Sequence, residues 1–281
     1  MINYYLITKP GIVLGNLITV AAGFLLASKG IFYPWLFLAT LLGLGFIMAS
    51  ACVFNNYIDR NVDQKMNRTK KRPLASGLIE GKHALVFGTL LALIGNGILY
   101  FNTNALTVFV ANVGFFVYVV LYSLWKGRTI YGTAIGSIAG AVPPVVGYCA
   151  VTNRFDLGAL LLFLMLVLWQ MPHFFAIALY HFDDYAAAKI PVLPIMKGAL
   201  RTKIHMVLYI AAFIVVSALF TYFGYTGISY LATTTAGGLA WLALCLAGFS
   251  TANNQLWGQR MFRFSLVLIS VISIGLSLDV V

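Results

Sequence analysis

Asn55, Asp59 and Asp63 stand four residues apart just past a long apolar stretch, Pro34 to Phe54. If the helix of that stretch continues to Asp63, the three fall at i, i+4 and i+8. They then share nearly one face, over about 12 Å of axis. Two carboxylates one turn apart repel each other, and at a helix C-terminus they also oppose the macrodipole. A positive partner is needed, and a hard divalent cation with oxygen ligands fits. Mg²⁺ takes one or two carboxylates and completes its shell with substrate phosphates. A basic run from Arg68 to Arg72 follows, of the type that phosphate oxygens need. The plainer reading is a set of solvated loop charges beside a membrane span. The scarcity of acids weighs against it: of 7 Asp and Glu, four sit in two clusters, Asp59 with Asp63 and Asp183 with Asp184.

The elements that must position these groups are membrane spans. Hydrophobic residues make up 61% of the 281 residues and charged residues 9%, and the mean hydropathy is +0.93. Soluble domains carry about 25% charged residues. The composition predicts an all-α polytopic membrane protein, with residues 1–281 as one integral domain. Nine apolar segments are expected at 11–28, 34–57, 84–101, 105–124, 130–151, 157–180, 205–224, 228–248 and 262–280. With that count, sixteen of the eighteen Lys and Arg fall on one side, and only Lys29 and Arg154 on the other. The net charge of +11 therefore reads as a positive-inside signature and calls for no nucleic-acid partner. It predicts a cytoplasmic N-terminus and a periplasmic C-terminus. The first ten residues lack a secretory n-region and cleavage site, so the first apolar segment is expected to remain as a span. Cys52, Cys149 and Cys245 lie in apolar segments without metal-ligand spacing and read as buried thiols.

Both acid clusters fall on the cytoplasmic side. Asp59 and Asp63 precede Arg72-Pro73-Leu74; Asp183 and Asp184 precede Lys189-Ile190-Pro191-Val192-Leu193. This weak symmetry predicts two loops facing each other over one cavity, where metal-binding acids and phosphate-binding cations converge. Tyr57 and Tyr185, beside the acids, are candidates to face it. Lys197, Arg201 and Lys203 read as topology signals. In the fifth segment Gly132, Gly136 and Gly140 form a smooth stripe, either for close helix packing or as a wall against a flat or chain-like ligand. Pro143 and Pro144 should bend that helix and free carbonyls. The sixth segment holds Gln170 and His173, costly inside an apolar span, with a kink expected at Pro172. His173 reads as a hydrogen-bonded core residue, a haem-iron ligand or a proton acceptor.

The stretch Asn55-Asn56-Tyr57-Ile58-Asp59-Arg60-Asn61-Val62-Asp63, followed by Arg68-Thr69 and Arg72-Pro73-Leu74, resembles the NxxxDxxxD signature of the UbiA-type intramembrane prenyltransferases. The signature alone specifies only that superfamily. Three further stretches are similar to its haem-farnesylating branch: Tyr131-Gly132-Thr133 through Pro143-Pro144-Val145-Val146-Gly147-Tyr148, Trp169-Gln170-Met171-Pro172-His173, and Asp184-Tyr185 through Ile190-Pro191-Val192-Leu193-Pro194. The opening Thr8-Lys9-Pro10-Gly11-Ile12 fits as well, so the resemblance covers nearly the whole chain.

The resemblance implies nine helices around a central cavity open sideways to lipid, in a bacterial inner membrane. It implies Mg²⁺-dependent ionisation of farnesyl diphosphate and transfer of the farnesyl group to a vinyl of haem b, with water added. It places Asn55, Asp59 and Asp63 in the first metal and diphosphate motif and Asp184 in the second. Arg68, Arg72, Lys126, Arg128 and Lys189 become candidate diphosphate contacts, and Asn56, Tyr57, Gln170 and His173 candidate substrate contacts. A haem A synthase or a terminal oxidase is an implied assembly partner. Two departures stand out. Ala187 and Ala188 lie four residues past Asp183 and Asp184, so the spaced second Asp pair is absent, which argues against a hydroxybenzoate acceptor. Trp125-Lys126-Gly127-Arg128 is one residue shorter than the family pattern. Other readings are a prenyltransferase with a quinone precursor or another tetrapyrrole as acceptor, a transporter with acids for coupling ions, and a haem-binding assembly factor.

Overall fold

The computed structural model describes residues 2–281. A short helix α1 (Ile2–Ile7) leads into α2 (Pro10–Ser28), α3 (Pro34–Asp63), α4 (Gly81–Asn102), α5 (Ala105–Trp125), α6 (Gly132–Thr152) and α7 (Leu157–Tyr180). The six-residue α8 (Phe182–Ala187) precedes α9 (Leu193–Tyr222), α10 (Ile228–Ala247) and α11 (Asn254–Leu278). Nine of these are long and apolar enough to cross a membrane, as the hydropathy predicted. They close a ring, with α11 back against α2, and α6 and α7 are its most enclosed members. Large side chains such as Leu93, Leu208, Val215 and Val267 point outward, as a lipid-facing surface requires.

Lipid supplies no hydrophobic drive between helices, so close backbone approach has to hold them. Gly23 and Gly147 provide it where α2 crosses α6. A Cβ at Gly23 would lie 2.0 Å from the Pro144 carbonyl oxygen, and one at Gly147 would lie 2.1 Å from that of Val20. Gly43 and Gly95 play the same part between α3 and α4.

Two details depart from the sequence expectations. α9 begins at Leu193, twelve residues early, because Pro194 starts a helical turn that Gly198 (φ 81°) then kinks. α11 begins at Asn254, capped by the Asn253 side chain accepting from Leu256 N at 2.9 Å; its polar first turns had masked it. Pro143 and Pro144 lie inside α6 and Pro172 inside α7, and neither helix is interrupted at these residues. The missing N–H groups still leave the carbonyls of Ala139, Gly140 and Leu168 without their helical donors.

Candidate functional site

The ring encloses one cavity of about 680 Å³, within the usual range for ligand sites. One end is lined by Lys9, Asn55, Asp59, Asp63, Arg68, Arg72 and Lys126; most of the wall beyond is apolar. On one side the lining reaches exposed Gly11, Ile12, Gly15 and Ile18 of α2 and exposed Leu266 of α11, a lateral mouth toward lipid.

α3 does continue to Asp63, and its final turns carry Asn55, Asp59 and Asp63 buried on one face. Buried acids at a helix C-terminus need compensation, and each polar group of the row has its own cation. Lys9 Nζ donates to Asn55 Oδ1 at 2.6 Å. Lys126 pairs directly with Asp59. Arg72 Nη1 lies 2.9 and 3.1 Å from the two oxygens of Asp63. The three cations come from the α1–α2 junction, the end of α5 and the loop after α3. That loop is pinned by Thr69 Oγ1 donating to the Asp63 carbonyl at 2.9 Å, by Gln64 Nε2 donating to Ala75 O at 2.8 Å, and by buried Leu74 and Ile79. Asn55 Nδ2 donates to Ser123 Oγ at 3.0 Å, tying α3 to α5. Burial, with Arg72 and Lys126 also near, brings the Lys9 ammonium down to about 8. Burial likewise raises the Tyr185 hydroxyl, which stays a neutral donor at the cavity wall.

Not every candidate converges here. Asn56 and Tyr57 follow Asn55 by about 100° and 200° of helical turn and leave the cavity face. Asn56 Nδ2 donates to Ile7 O at 2.7 Å, and the Tyr57 ring carries the Arg60 guanidinium 4.1 Å from its centre. Arg128 and Lys189 are exposed on turns outside the lining, although Ile190, Pro191 and Val192 beside Lys189 belong to it. Asp184 also lies off the wall. Its Oδ1 accepts from Asn67 N at 2.8 Å, so it joins the segments that follow α3 and α7, which do meet as their symmetry suggested. Arg68 lies at the rim with no carboxylate partner among the described residues.

The lining also includes groups the sequence reading had not assigned. Lys9 stands in the sequence as one of the sixteen same-side cations and within the Thr8–Ile12 stretch, with no contact assigned to it. Tyr118 and Tyr122 stack with centroids 5.4 Å apart, on a π-helical turn (Val117–Tyr122) that aims both into the cavity. Lys126 lies 5.0 Å from the Tyr122 ring centre. Tyr118, Tyr122 and Lys126 are spaced by four, the same signal that marked Asn55, Asp59 and Asp63.

The glycine stripe serves packing and wall at once. Gly132, Gly136 and Gly140 all line the cavity. A Cβ on them would strike Lys126, Tyr122 and Gln170 at 2.6, 2.9 and 2.2 Å respectively. Gln170 and His173 also face the cavity. His173 Nδ1 lies 2.7 Å from Ser265 Oγ, and Trp169 stacks on the ring at 4.6 Å.

The donor set suits a hard cation. Two buried carboxylates and an amide oxygen are all oxygen ligands. Among the described residues no group of three or more His, Cys, Asp or Glu could hold a metal by itself, so phosphate or water oxygens must complete the shell.

Nine spans around a lateral cavity, with acids and cations gathered at one end and an apolar wall beyond, define an intramembrane enzyme for an amphipathic anion. The match to the UbiA prenyltransferase family model spans residues 16–267, and the chain belongs to that family. It is 61% identical to the protoheme IX farnesyltransferase of Protochlamydia amoebophila (strain UWE25), over 100% of both chains. Among solved structures, a digeranylgeranylglyceryl phosphate synthase superposes with TM-score 0.80 at 17% identity, covering 99% of this chain and 97% of that one. A UbiA homolog from Archaeoglobus fulgidus bound to GPP and Mg²⁺ superposes with TM-score 0.72 at 16% identity, covering 98% and 99%.

Proposed function

We propose that the chain transfers a farnesyl group from farnesyl diphosphate to a vinyl of haem b, with water added, giving haem O and diphosphate. The observation that carries the chemistry is the buried Asn55–Asp59–Asp63 row with a cation on each member, at one end of a mostly apolar cavity. The acceptor rests on the 61% identical relative.

Asp59 and Asp63, with Asn55 as a further oxygen donor, would hold Mg²⁺, which would supply positive charge to the departing diphosphate. Lys126, Arg72 and Arg68 bind the diphosphate oxygens and stabilise the charge that develops as the C–O bond breaks. Asp184 holds the segments after α3 and α7 together and stands ready as a further acid at the rim. The apolar wall keeps water from the allylic cation until the vinyl π-bond attacks it. His173 and Gln170 face the haem. Residues 1–281 form one domain in a bacterial inner membrane, N-terminus cytoplasmic and C-terminus periplasmic, where a haem A synthase or terminal oxidase can receive the product.

The test is mass analysis of haems extracted from membranes of a bacterial host lacking its own haem O synthase. A hydroxyethylfarnesyl haem should appear with the wild-type chain and be missing with Asp59→Ala. Haem b alone, despite good membrane expression, would redirect the assignment to another prenyl acceptor.

A further inference from the structure

Resting on the reading just given, one step is not served by the cytoplasmic acids and cations. Once the new C–C bond forms, the vinyl carbon next to the porphyrin is electron-deficient, and water must add there and lose a proton. We infer that His173 Nε2 accepts that proton, and that Gln170 holds the water.

The hydrogen bonds around His173 fix its tautomer. Ser265 Oγ has a single hydrogen and donates it to Phe262 O at 2.7 Å. The 2.7 Å contact between Ser265 Oγ and His173 Nδ1 must then use the histidine proton, so Nδ1 donates. Nε2 is left with a lone pair and has no protein partner among the described residues. The ring cannot turn away freely. Trp169 stacks on it, Phe262 lies 5.2 Å from it, and Trp169 Nε1 is itself held by Ser265 O at 3.0 Å. The same serine therefore fixes both rings.

Gln170 sits on the same face of α7, three residues before His173. Its side chain is buried, lines the cavity and makes no hydrogen bond to the described residues. An amide with no protein partner on a mostly apolar wall gains from a ligand atom or a water placed against it. Gly140 makes the space, since a Cβ would meet Gln170 Oε1 at 2.2 Å. Pro144 leaves the Gly140 carbonyl without its helical donor, at a residue that also lines the cavity. An amide, a free carbonyl and a histidine lone pair give one water the two to four partners it needs. His173 lies about 10 Å along α7 from its end and Asn55 about 12 Å along α3 from Asp63, and both line the same cavity, so the histidine and the acidic row face one enclosed space.

The step balances without a redox partner. The water oxygen forms a C–O bond to the cationic carbon, and one O–H bond breaks. Its electron pair stays on oxygen and its proton moves to Nε2. The proton later leaves with the diphosphate. The nearest rival role uses the same lone pair, as a ligand to the haem iron.

The test is the mass of the haem made by purified wild type, His173→Gln, His173→Ala and Ser265→Ala, each also titrated with haem b by absorbance. Without its base the cationic carbon loses a proton instead of gaining water, giving a farnesylated haem lighter by one water. The ratio of hydroxylated to anhydro product should fall on the order of 100-fold in the His173 variants. Ser265→Ala, which keeps the imidazole but frees its tautomer, should shift the ratio the same way by less. Wild-type product ratios in all three variants would overturn the inference. So would a nitrogen-ligated haem spectrum in wild type that His173→Ala loses. Absence of any farnesylated haem from wild type would instead refute the underlying reading.

Discussion

Removing one member of the Arg72–Asp63 pair should damage folding and catalysis together, and removing both should separate the two. At 2.9 Å and an effective dielectric of about 20, the attraction is about 6 kcal/mol before desolvation is subtracted. Asp63 is 3% exposed at its side chain and Arg72 28%, so the acid carries most of the desolvation cost. Asp63→Ala leaves a half-buried guanidinium with no counter-charge. Arg72→Met leaves a buried carboxylate, the worse case. Truncating one partner of a fully buried pair costs about 3–5 kcal/mol; with Arg72 partly in water, about 2–4 kcal/mol is expected, larger for Arg72→Met. The double variant Asp63→Asn, Arg72→Met replaces the pair by neutral groups of similar volume and should return to within about 1 kcal/mol of wild type. Farnesyl transfer should stay low in all three, because both the acid and the phosphate cation are gone from the double variant. Equilibrium unfolding in mixed detergent micelles, run beside a turnover assay with farnesyl diphosphate and haem b, reads both quantities. A double variant that regains turnover with its stability would refute the reasoning, as would an Arg72→Met protein as stable as wild type.

Lys9→Met should raise KM for farnesyl diphosphate by about tenfold or more while leaving the protein inserted, since a charge-assisted hydrogen bond of about 1.5–3 kcal/mol to Asn55 is lost at the diphosphate end. An unchanged KM would leave Lys9 a structural tie. Gly140→Val should push the Gln170 amide into the cavity and lower kcat/KM for haem about tenfold, with Gln170→Ala restoring part of it in the double variant. Gly23→Leu should lower the melting temperature and the yield of folded protein, because its side chain meets the Pro144 backbone rather than a movable side chain. Chelation should abolish turnover and added Mg²⁺ should restore it; full activity in excess chelator would refute a metal at Asp59 and Asp63.

Most of the scaffold is written in hydropathy. Nine apolar runs and a lopsided Lys and Arg distribution specify nine helices, and four-residue spacing at the end of one places Asn55, Asp59 and Asp63 on one face. Helix starts were harder where charge interrupts apolarity, as at Lys197 and Arg201 in α9 and Arg260 and Arg263 in α11. Asn56 and Tyr57 show the limit of reading a motif as a block, because neighbours in a helical signature point about 100° apart. Arg128 and Lys189 on turns, and Asp184 in the short helix α8, show the limit between the spans, where side-chain directions follow from tertiary contacts such as Asp184 with Asn67. Lys9 was visible but had an easier explanation as a topology charge, and only the fold brings it 46 positions along the chain to Asn55. The π turn at Val117–Tyr122 has no signature in spacing, although the Tyr118, Tyr122, Lys126 ladder was there to be seen.

The most direct measurement is a coupled count on the purified chain: diphosphate released and hydroxyethylfarnesyl haem formed from farnesyl diphosphate and haem b with Mg²⁺, for wild type and Asp59→Asn. Equal amounts of the two products with wild type, and neither with the variant, are what the buried acidic row predicts. Diphosphate release without a farnesylated haem, or an Asp59→Asn protein that matches wild type, would contradict it.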